Sequence, residues 1–359
     1  MNPLASHRIP YDIPGVHAQE LISLGFESTS HTFGVGIVRL RGGAVEVLAN
    51  VNSQYKPPKG GLHPREASYH HMEKAYSLLK QALEKAGVSL KDVSVVSYSM
   101  GPGLGPCLRV SASVARFLAS YYDKPLVPVN HAIAHIEIGK LYSGFTDPLV
   151  IYVSGGNTMI VVAKDGAYRV LGETLDIPLG NLLDTFAREI GIAPPYVVEG
   201  KHAVDLCSEW NPDFVPLPYT VKGSDLSFSG LLTAALQRAR NARGDRRTLG
   251  AICNSLRETA FNMLVEVAER SLILSGKKSI LLVGGVASNT VLKWKLEKLS
   301  EIHGIPYYGT PPDIAGDNGL MISYTGLLMY LNGFSVKPEE AFVRQRLRLD
   351  EGSYPWLGL

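Results

Sequence analysis

The sequence predicts an α/β protein whose two lobes repeat one plan around a central cleft. The chain has 359 residues, which is too long for one ordinary hydrophobic core and fits two lobes. Strand patterns alternate with helical periodicity, as in α/β folds. A three-strand meander also occurs twice: RGGAVEVL in the first copy corresponds to KDGAYRVL roughly 125 residues later, which indicates an internal duplication.

The first half of the chain reads as an extension, a meander, and then alternating helices and strands. Residues 1–20 are expected to form an irregular extension, and residues 21–145 the N-terminal lobe. The predicted strands are Leu21–Phe26, Phe33–Leu40, Ala44–Val51, Val93–Ser99 and Pro125–Asn130. The predicted helices are 66–86, one from the loop GPGLGPCLR through Leu118, and one that begins near His131.

The second half repeats the meander and adds a helical insertion at about 178–275, within a C-terminal lobe of residues 146–335. Residues 336–359 are expected to form a tail. The predicted strands are Pro148–Ser154, Met159–Lys164, Ala167–Gly172, Ser279–Val283 and Ile305–Tyr308. The predicted helices are 178–190, 201–209, 229–243, 246–275, Asn289–Leu299 and Ile314–Leu331.

Composition and cysteine content limit which partners and which cell compartment are expected for this protein. Hydrophobic residues make up 45% of the chain and the formal net charge is +2, so a nucleic-acid partner would need basic surface from other subunits as well. Three separate cysteines without a C-x-x-C motif predict no disulfide and a reducing compartment. No apolar run is long enough for a bilayer and the N-terminus lacks a signal-peptide core, so a cytoplasmic protein without a membrane partner is expected.

Two small polar turns are candidates for holding phosphate. One lies at 27–32 (ESTSHT) and the other at 155–158 (GGNT), each after the first strand of a meander. Backbone N–H groups in such turns can approach phosphate oxygens, although a glycine-rich hairpin is usually only a hairpin. The strand that ends in Gly284-Gly285 before a helix is a third candidate contact for a nucleotide.

A metal site is predicted from two histidines four residues apart. His131 and His135 share one face of a helix that follows a buried strand, where ligand sites of α/β proteins cluster. Asp317 is the best carboxylate to join them. The alternative is a pair of ordinary surface or core histidines. An H-E-x-x-H motif is missing, so the general base of a zinc peptidase is missing too.

Two further features have both a functional and an ordinary interpretation. Asp184 is either a solvated helix residue or an acceptor for ribose hydroxyls. A basic run is either a solvated face or a contact for a phosphate backbone. Its members are Arg238, Arg240, Arg243, Arg246 and Arg247.

Taken together, these motifs resemble the Kae/Tsa-D family, within the actin/Hsp70/sugar-kinase (ASKHA) superfamily. The resemblance covers roughly residues 21–335. It is carried by GGLHPRE at 60–66, GPGLGPCLR at 101–109, NHAIAHIE at 130–137, YVSGGNT at 152–158, KGSDLSFSGLL at 222–232 and GDNG at 316–319. It implies a duplicated actin-like fold with two lobes around a nucleotide and metal cleft.

The resemblance also implies an activity. The family transfers a threonylcarbamoyl group from threonylcarbamoyl-AMP to N6 of the adenosine next to the anticodon, position 37, in tRNAs that read ANN codons. The archaeal members work in a KEOPS complex with a small kinase/ATPase subunit and small accessory subunits. The implied cofactors are one divalent metal, Fe2+ or Zn2+, and an ATP- or AMP-type nucleotide.

Site residues follow from the resemblance, motif by motif. The implied metal ligands are His131, His135, Tyr152 and Asp317. The implied nucleotide contacts are Tyr152, Ser154, Gly155, Gly156, Asn157, Asp184 and Asn289. The family's Pro-Gly-Gly-Pro turn is replaced here by PPYVVEG at 194–200, so Gly200 and Asp205 are the nearest candidates for the ribose contacts of that turn.

Three rival functions remain open at this stage. A small-molecule kinase of the same superfold would need an aspartate base near the first hairpin, where the sequence has Glu27. A peptidase would rest on the two histidines alone. A nucleotide-gated scaffold would bind partner proteins and form no covalent product.

Overall fold

The computed structural model describes residues 6–57, 61–192, 200–242 and 244–358. The chain forms two compact units. Unit 1 comprises the described residues within Met1–Thr146, Lys164–Tyr168 and Asp317–Leu359. Unit 2 comprises those within Asp147–Ala163 and Arg169–Gly316. Each unit has its own β-sheet and hydrophobic core.

The strands follow the predicted order along the chain. They are β1 Ser6–Arg8, β2 Glu20–Glu27, β3 Thr32–Arg41, β4 Ala44–Gln54, β5 Val95–Gly101, β6 Leu126–Asn130, β7 Leu149–Val153, β8 Thr158–Lys164, β9 Ala167–Glu173, β10 Val221–Lys222, β11 Asp225–Leu226, β12 Ile280–Val283 and β13 Tyr307–Gly309.

The helices also follow the predicted order. They are α1 Pro64–Ala86, α2 Gly105–Tyr122, α3 His131–Ser143, α4 Leu179–Glu189, α5 Ala203–Ser208, α6 Ser229–Asn241, α7 Arg246–Ser275, α8 Thr290–His303, α9 Pro312–Ala315 and α10 Gly319–Leu331. None of the helices within the described ranges is long and apolar enough to span a membrane.

The two large sheets share one strand order, which confirms the duplication. The first runs β1-β4-β3-β2-β5-β6 and the second β13-β12-β7-β8-β9. Each sheet contains a three-strand antiparallel meander followed by two parallel strands. The first strand of the meander joins the two parts, because β2 pairs in parallel with β5, and β7 pairs in parallel with β12. Among the described strands of the two large sheets, β1 alone has no counterpart in the other sheet. It pairs antiparallel with β4, so the expectation that residues 1–20 are wholly irregular is wrong.

Helix α10 lies almost directly on the backbone of β2 and β3. A Cβ on Gly36 would lie 2.2 Å from the Leu320 amide nitrogen, and one on Gly319 would lie 2.3 Å from the Gly36 nitrogen. Side chains would prevent this approach, so glycine is required on both elements. Ser23 and Ser323 add reciprocal hydrogen bonds, each hydroxyl donating to the other's carbonyl at 2.8 Å. This packing fixes the start of α10, which follows Asp317.

The last helix is interrupted, whereas the sequence predicts one helix over Ile314–Leu331. Helix α9 ends at Ala315 and α10 begins at Gly319. Asn318 is the N-cap of α10, and its side chain accepts from the Met321 amide at 2.9 Å. An Asn cap starts a helix rather than continues one. The interruption places Asp317 in a loop, where its carboxylate is free to turn toward α3.

The buried carboxylate of Glu137 joins both ends of the chain to helix α3. It accepts hydrogen bonds from Tyr11 of the N-terminal extension, from Tyr168 on β9 and from the indole of Trp356 in the tail. Trp356 is 5% exposed, so the tail packs into unit 1. Burial and the charge of Glu137 raise the pKa of both tyrosines well above the usual value. The network ties α3 to the N-terminal extension, to β9 and to the tail.

A disulfide joins Cys207 on α5 to Cys253 on α7, with the Cα atoms 5.8 Å apart. The prediction of no disulfide is therefore wrong, and the cysteines no longer argue for a reducing compartment. The pair is 46 residues apart in sequence, so only the packing of α5 against α7 reveals it. Cys107 is free and buried.

Candidate metal and nucleotide sites

Three predicted metal ligands converge in unit 1. His131 and His135 lie one turn apart at the start of α3, where Asn130 caps the helix by accepting from the Ala132 amide at 3.0 Å. The Asp317 Oδ1 atom lies 3.5 Å from His131 Nε2 and 3.3 Å from His135 Nε2. The three ligand atoms are all within 4.8 Å of one another.

This donor set fits a transition metal. In a tetrahedral site with ligand bonds of about 2.1 Å, neighbouring ligand atoms lie about 3.4 Å apart. The two distances to Asp317, 3.3 and 3.5 Å, match such an edge. Two imidazoles with one carboxylate are also the ligands that zinc and non-haem Fe(II) use. The side chains are mostly buried, at 8%, 1% and 16% exposure for His131, His135 and Asp317.

Electrostatics in the cluster favour a cation between the ligands. Burial would lower the pKa of His131, but the charges of Glu27 and Asp317 outweigh it and raise that pKa to about 9. For Asp317, burial would raise the pKa, but His131 and the hydrogen bond from His135 hold it below its usual range. The carboxylates thus hold a proton on His131, and a metal ion would take the place of that positive charge.

Glu27 is the site residue that sequence reasoning missed. It is fully buried at the end of β2, and its Oε2 atom lies 3.0 Å from His131 Nδ1. Its other oxygen accepts from the amide and hydroxyl of Thr29 at 2.5 and 2.6 Å. A carboxylate on the far nitrogen of a metal-binding imidazole fixes the tautomer and orients the ring. The signal was a glutamate directly after the apolar run Leu21–Phe26.

The Ser28 and Thr29 donors of the first polar turn are already used within unit 1. Ser28 and Thr29 are buried, and the Ser28 hydroxyl donates to the Cys107 carbonyl at 2.8 Å. The Ser28 amide donates to the Ser99 hydroxyl, and the Thr29 amide to Glu27. Thr29 thus contacts Glu27 beside the candidate metal ligands, and a phosphate contact of this turn stays a prediction.

The second polar turn, in unit 2, is open. Gly155 and Gly156 are exposed, and nothing lies within 4 Å of where a Cβ would be on either. The amides of Gly156 and Asn157 both point at the Ser154 hydroxyl, at 3.2 and 3.0 Å. Two amides directed at one oxygen form the geometry that binds a phosphate oxygen once the hydroxyl rotates away.

Tyr152 lies in the strand before that turn. It is fully buried, and its hydroxyl accepts from the Asn157 side chain at 3.4 Å. Tyr152 belongs to unit 2, whereas His131, His135 and Asp317 belong to unit 1. Its role as a fourth metal ligand stays a prediction.

Asp184 is a partly exposed carboxylate on α4 of unit 2. Its side chain is 38% exposed, and its Oδ1 atom accepts from His202 Nε2 at 3.0 Å. His202 is buried and caps α5. The sequence interpretation did not include His202, because a single histidine inside a weakly patterned segment carries no distinctive signal.

Asp205 and Asn289 support this site from inside. The Asp205 carboxylate accepts from the His202 amide at 2.7 Å and from the Asn289 side chain at 2.6 Å. Asn289 is fully buried, and its oxygen caps α8 by accepting from the Val291 and Leu292 amides. Only one Asp205 oxygen is used in these hydrogen bonds, and the other has no hydrogen-bond partner among the described residues. A direct contact of Asp205 or Asn289 with a nucleotide stays a prediction.

Gly200 ends the segment that departs from the family's turn; residues 194–199 of that segment lie outside the described residues. Its φ is +81°, and a Cβ there would lie 2.6 Å from the Thr290 side chain. Its carbonyl accepts from the Thr290 amide at 2.9 Å. Gly200 thus fits against the start of α8, and its contact with ribose stays a prediction.

Some arginines of the basic run are exposed, and others contact side chains of this protein. Arg238 and Arg240 are exposed on α6, while Arg246 lies over the Trp210 ring at 4.5 Å and Arg247 is 3.9 Å from Asp213. Arg243 lies outside the described residues. A contact of this run with a phosphate backbone stays a prediction.

Comparison with known proteins identifies the family. The model of the family "TsaD: tRNA N6-adenosine threonylcarbamoyltransferase" matches residues 46–324, which include all three converging metal ligands. The chain belongs to the TsaD family. The TsaD family is the one that the sequence motifs resemble, so that prediction is confirmed.

Archaeal relatives of the same description cover nearly the whole chain. The chain is 64% identical over 336 residues to the tRNA N6-adenosine threonylcarbamoyltransferase of Staphylothermus marinus, covering 93% of this chain and 99% of that protein. It is 53% identical to the protein of that name in Hyperthermus butylicus, covering 94% and 92%. The TsaD family is a family of transferases that modify tRNA, and the chain is a member of it.

Solved structures show the same fold at low identity. The crystal structure of T.kodakarensis HypF matches with a TM-score of 0.62 at 16% identity, covering 95% of this chain and 51% of that one. A second HypF, in a phosphate- and nucleotide-bound form, matches with a TM-score of 0.58 at 12% identity, covering 91% and 57%. These matches and the shared strand order confirm the duplicated actin-like α/β fold of the TsaD family.

Proposed function

We propose that this chain transfers the threonylcarbamoyl group of threonylcarbamoyl-AMP to N6 of adenosine 37 in tRNAs that read ANN codons, as the catalytic subunit of a KEOPS complex. The observation that carries the proposal is the convergence of His131, His135 and Asp317 in a chain of the TsaD family. These residues would hold one divalent metal, Fe2+ with Zn2+ as the alternative, and Tyr152 would complete the set. When bound, such an ion supplies Lewis-acid polarisation of an oxygen of the substrate.

The reaction needs one bond made and one broken. The N6 amine of adenosine attacks the carbamoyl carbon, the bond from that carbon to the phosphate oxygen breaks, and AMP leaves with the bonding electrons. The attacking nitrogen then loses one proton. No nucleophilic side chain of the protein is needed, which agrees with the lack of a Ser-His-Asp or Cys-His set in the sequence. Positioning of the two substrates supplies much of the rate.

The chain's own residues provide that positioning. Glu27 holds the ring of His131, and Thr29 holds Glu27, so the metal ligands are aligned before substrate binds. In unit 2, the amides of Gly156 and Asn157 would bind phosphate oxygens, and Asp184 would accept hydrogen bonds from the ribose of an ATP- or AMP-type nucleotide. Gly155 leaves room for that approach.

The proposed partners are tRNA, a small kinase/ATPase subunit and small accessory subunits, in the cytoplasm. The formal charge of only +2 supports sharing of tRNA binding with other subunits, because a phosphate backbone is bound mainly by basic surface. The exposed arginines of α6 would be this chain's part of that surface.

One reconstitution tests the activity. The protein is combined with tRNA, threonylcarbamoyl-AMP and candidate partners, and the modified nucleoside is measured by mass, with each partner omitted in turn. Activity that requires the partners supports the KEOPS role. Full activity of the chain alone contradicts it. ATP-dependent phosphorylation of a small molecule without any tRNA product would favour the kinase.

The metal role is tested by a His131→Ala, His135→Ala double variant. We expect loss of bound metal by elemental analysis and loss of tRNA modification. The matched control is His17→Ala with His303→Ala, two histidines outside the site. If the site variant stays folded and keeps full activity while the control behaves identically, the metal role is wrong.

A further inference from the structure

We propose that His202 is a positioning residue that aims the Asp184 carboxylate at the two ribose hydroxyls of the bound nucleotide. The inference rests on the nucleotide site of the proposed function. Its basis is a hydrogen-bonded series inside unit 2 that runs from the start of α8, through α5, to the exposed side chain of Asp184 on α4. His202 is the member of the series that contacts the exposed carboxylate.

The hydrogen bonds of His202 fix which ring nitrogen carries the proton. Its Nδ1 atom accepts from the Val204 amide at 3.1 Å, and an amide can only donate, so Nδ1 is unprotonated. In the neutral ring, Nε2 then carries the proton and donates to Asp184 Oδ1 at 3.0 Å. The ring is 4% exposed, so it has little room to turn.

A histidine at this position does more than cap a helix. Asn, Asp, Ser and Thr are the usual N-cap residues, and any of them would serve α5 as well as His202 does. Histidine differs in that its second nitrogen points away from the helix it caps. Here that nitrogen reaches Asp184, 18 residues earlier in the chain. The choice of histidine is explained by Asp184, and the cap alone does not require it.

The backbone of His202 is also held in place. Its amide donates to Asp205 at 2.7 Å, and Asp205 accepts from Asn289 at 2.6 Å. The other Asp205 oxygen has no hydrogen-bond partner among the described residues, and Arg257 Nη1 lies 3.9 Å from it. A buried carboxylate is costly to keep. Here it fixes the residue that orients Asp184.

The exposed carboxylate selects the kind of ligand. Asp184 has two acceptor oxygens, and one of them already accepts from His202. An anionic phosphate would be repelled, whereas a pair of neighbouring hydroxyls can donate to one carboxylate. A ribose offers such a pair, so Asp184 is placed for the sugar and the open turn at Ser154–Asn157 for the phosphates.

The test compares ATP with 2′,3′-dideoxy-ATP as probes, with dissociation constants measured by calorimetry on the full chain. The key variant is His202→Asn, because the Asn oxygen can accept from the Val204 amide and keep the cap, while its nitrogen cannot reach Asp184. We expect wild type to prefer ATP by about tenfold or more. His202→Asn should lose most of that preference at an unchanged melting temperature, and His202→Gln, which restores a donor near the Nε2 position, should regain part of it.

A double-mutant cycle shows whether His202 affects the nucleotide preference through Asp184 or by another route. If His202 acts through Asp184, then His202→Asn should cause no further loss of the preference in an Asp184→Ala background. Three outcomes overturn the inference and leave the proposed tRNA activity unaffected. They are a preference for ATP that His202→Asn leaves unchanged, an additive loss of preference in the double variant, and a wild type that binds both nucleotides equally. Absence of any nucleotide binding by the wild type removes the nucleotide site and this inference with it.

Discussion

At the residue scale, the metal site depends on a side chain that is not itself a predicted ligand. Glu27 receives hydrogen bonds from both donors of Thr29 and lies 3.0 Å from His131 Nδ1. It contacts the nitrogen of the His131 ring that is not the one near Asp317. Such outer carboxylates raise the basicity of the ligand and hold its orientation.

We therefore predict that Glu27→Gln lowers the metal affinity about 10–100-fold. The amide keeps the size of the side chain but removes the charge that supports His131. The affinity is measured by competition with a chromophoric zinc chelator. Glu20→Gln is the matched control, because Glu20 is on the same strand and 60% exposed. Equal affinities for the two variants would contradict the role of Glu27.

At the element scale, Asp176 joins the loop after β9 to the start of α6. Its carboxylate accepts from the Phe228 and Ser229 amides at 2.8 and 3.1 Å, and from the hydroxyls of Ser227 and Ser229. The first amides of a helix have no partner within it, so an acidic group there stabilises it. This contact gives a role to the FSG segment of KGSDLSFSGLL, to which the family resemblance assigned no function.

The stability of unit 2 should therefore fall in acid through Asp176. Burial would raise the pKa of Asp176, but the hydrogen bonds from Ser227, Ser229 and the nearby amides hold it well below its usual range. A lowered pKa in the folded state stabilises the fold above the unfolded pKa, about 3.9, and the contribution is lost as the pH falls below it.

We predict that Asp176→Asn lowers the free energy of unfolding by about 1 kcal/mol at pH 7. The difference from wild type should shrink steadily between about pH 4 and pH 2, because the wild-type carboxyl becomes neutral as well. Urea unfolding at several pH values measures it. A difference that is constant over this range would show that the charge of Asp176 is unimportant.

At the scale of the whole molecule, the two copies of the duplicated fold carry different side chains at equivalent turns. The two sheets share a strand order, yet Ser28 and Thr29 of the first polar turn are buried beside the candidate metal ligands, while Gly155 and Gly156 of the second are exposed. The duplication thus accounts for the fold, and the side chains at equivalent turns account for two different kinds of site. The disulfide belongs to unit 2 alone.

We predict that Cys253→Ala destabilises unit 2 by up to about 4 kcal/mol, because the lost link closes a loop of 46 residues. Thermal unfolding with and without reductant measures the effect. Reductant should lower the melting temperature of the wild type toward that of the variant and leave the variant unchanged. The Cys207→Ala, Cys253→Ala double variant should match the single one. A wild type that is insensitive to reductant under denaturing conditions would contradict the prediction.

The sequence by itself determined the order of the elements and the candidate metal ligands. Periodicity located nearly every strand and helix, the repeated meander indicated the duplication, and the i, i+4 spacing paired His131 with His135, because these properties depend on neighbours along the chain. Asp317 was the best carboxylate candidate because it lies after a predicted strand and loop, near the start of the last helix, and the family motif GDNG adds to that choice.

Only the tertiary structure decided the supporting contacts. Glu27 lies 104 residues from His131, His202 lies 18 residues from Asp184, and Cys207 lies 46 residues from Cys253. None of these pairs has a spacing that marks it in the sequence. Packing of separate elements brings them together, and burial then makes each polar group find a partner. The first polar turn occupies the same place in its meander as the second does. Only the packing shows that it lies beside the candidate metal ligands.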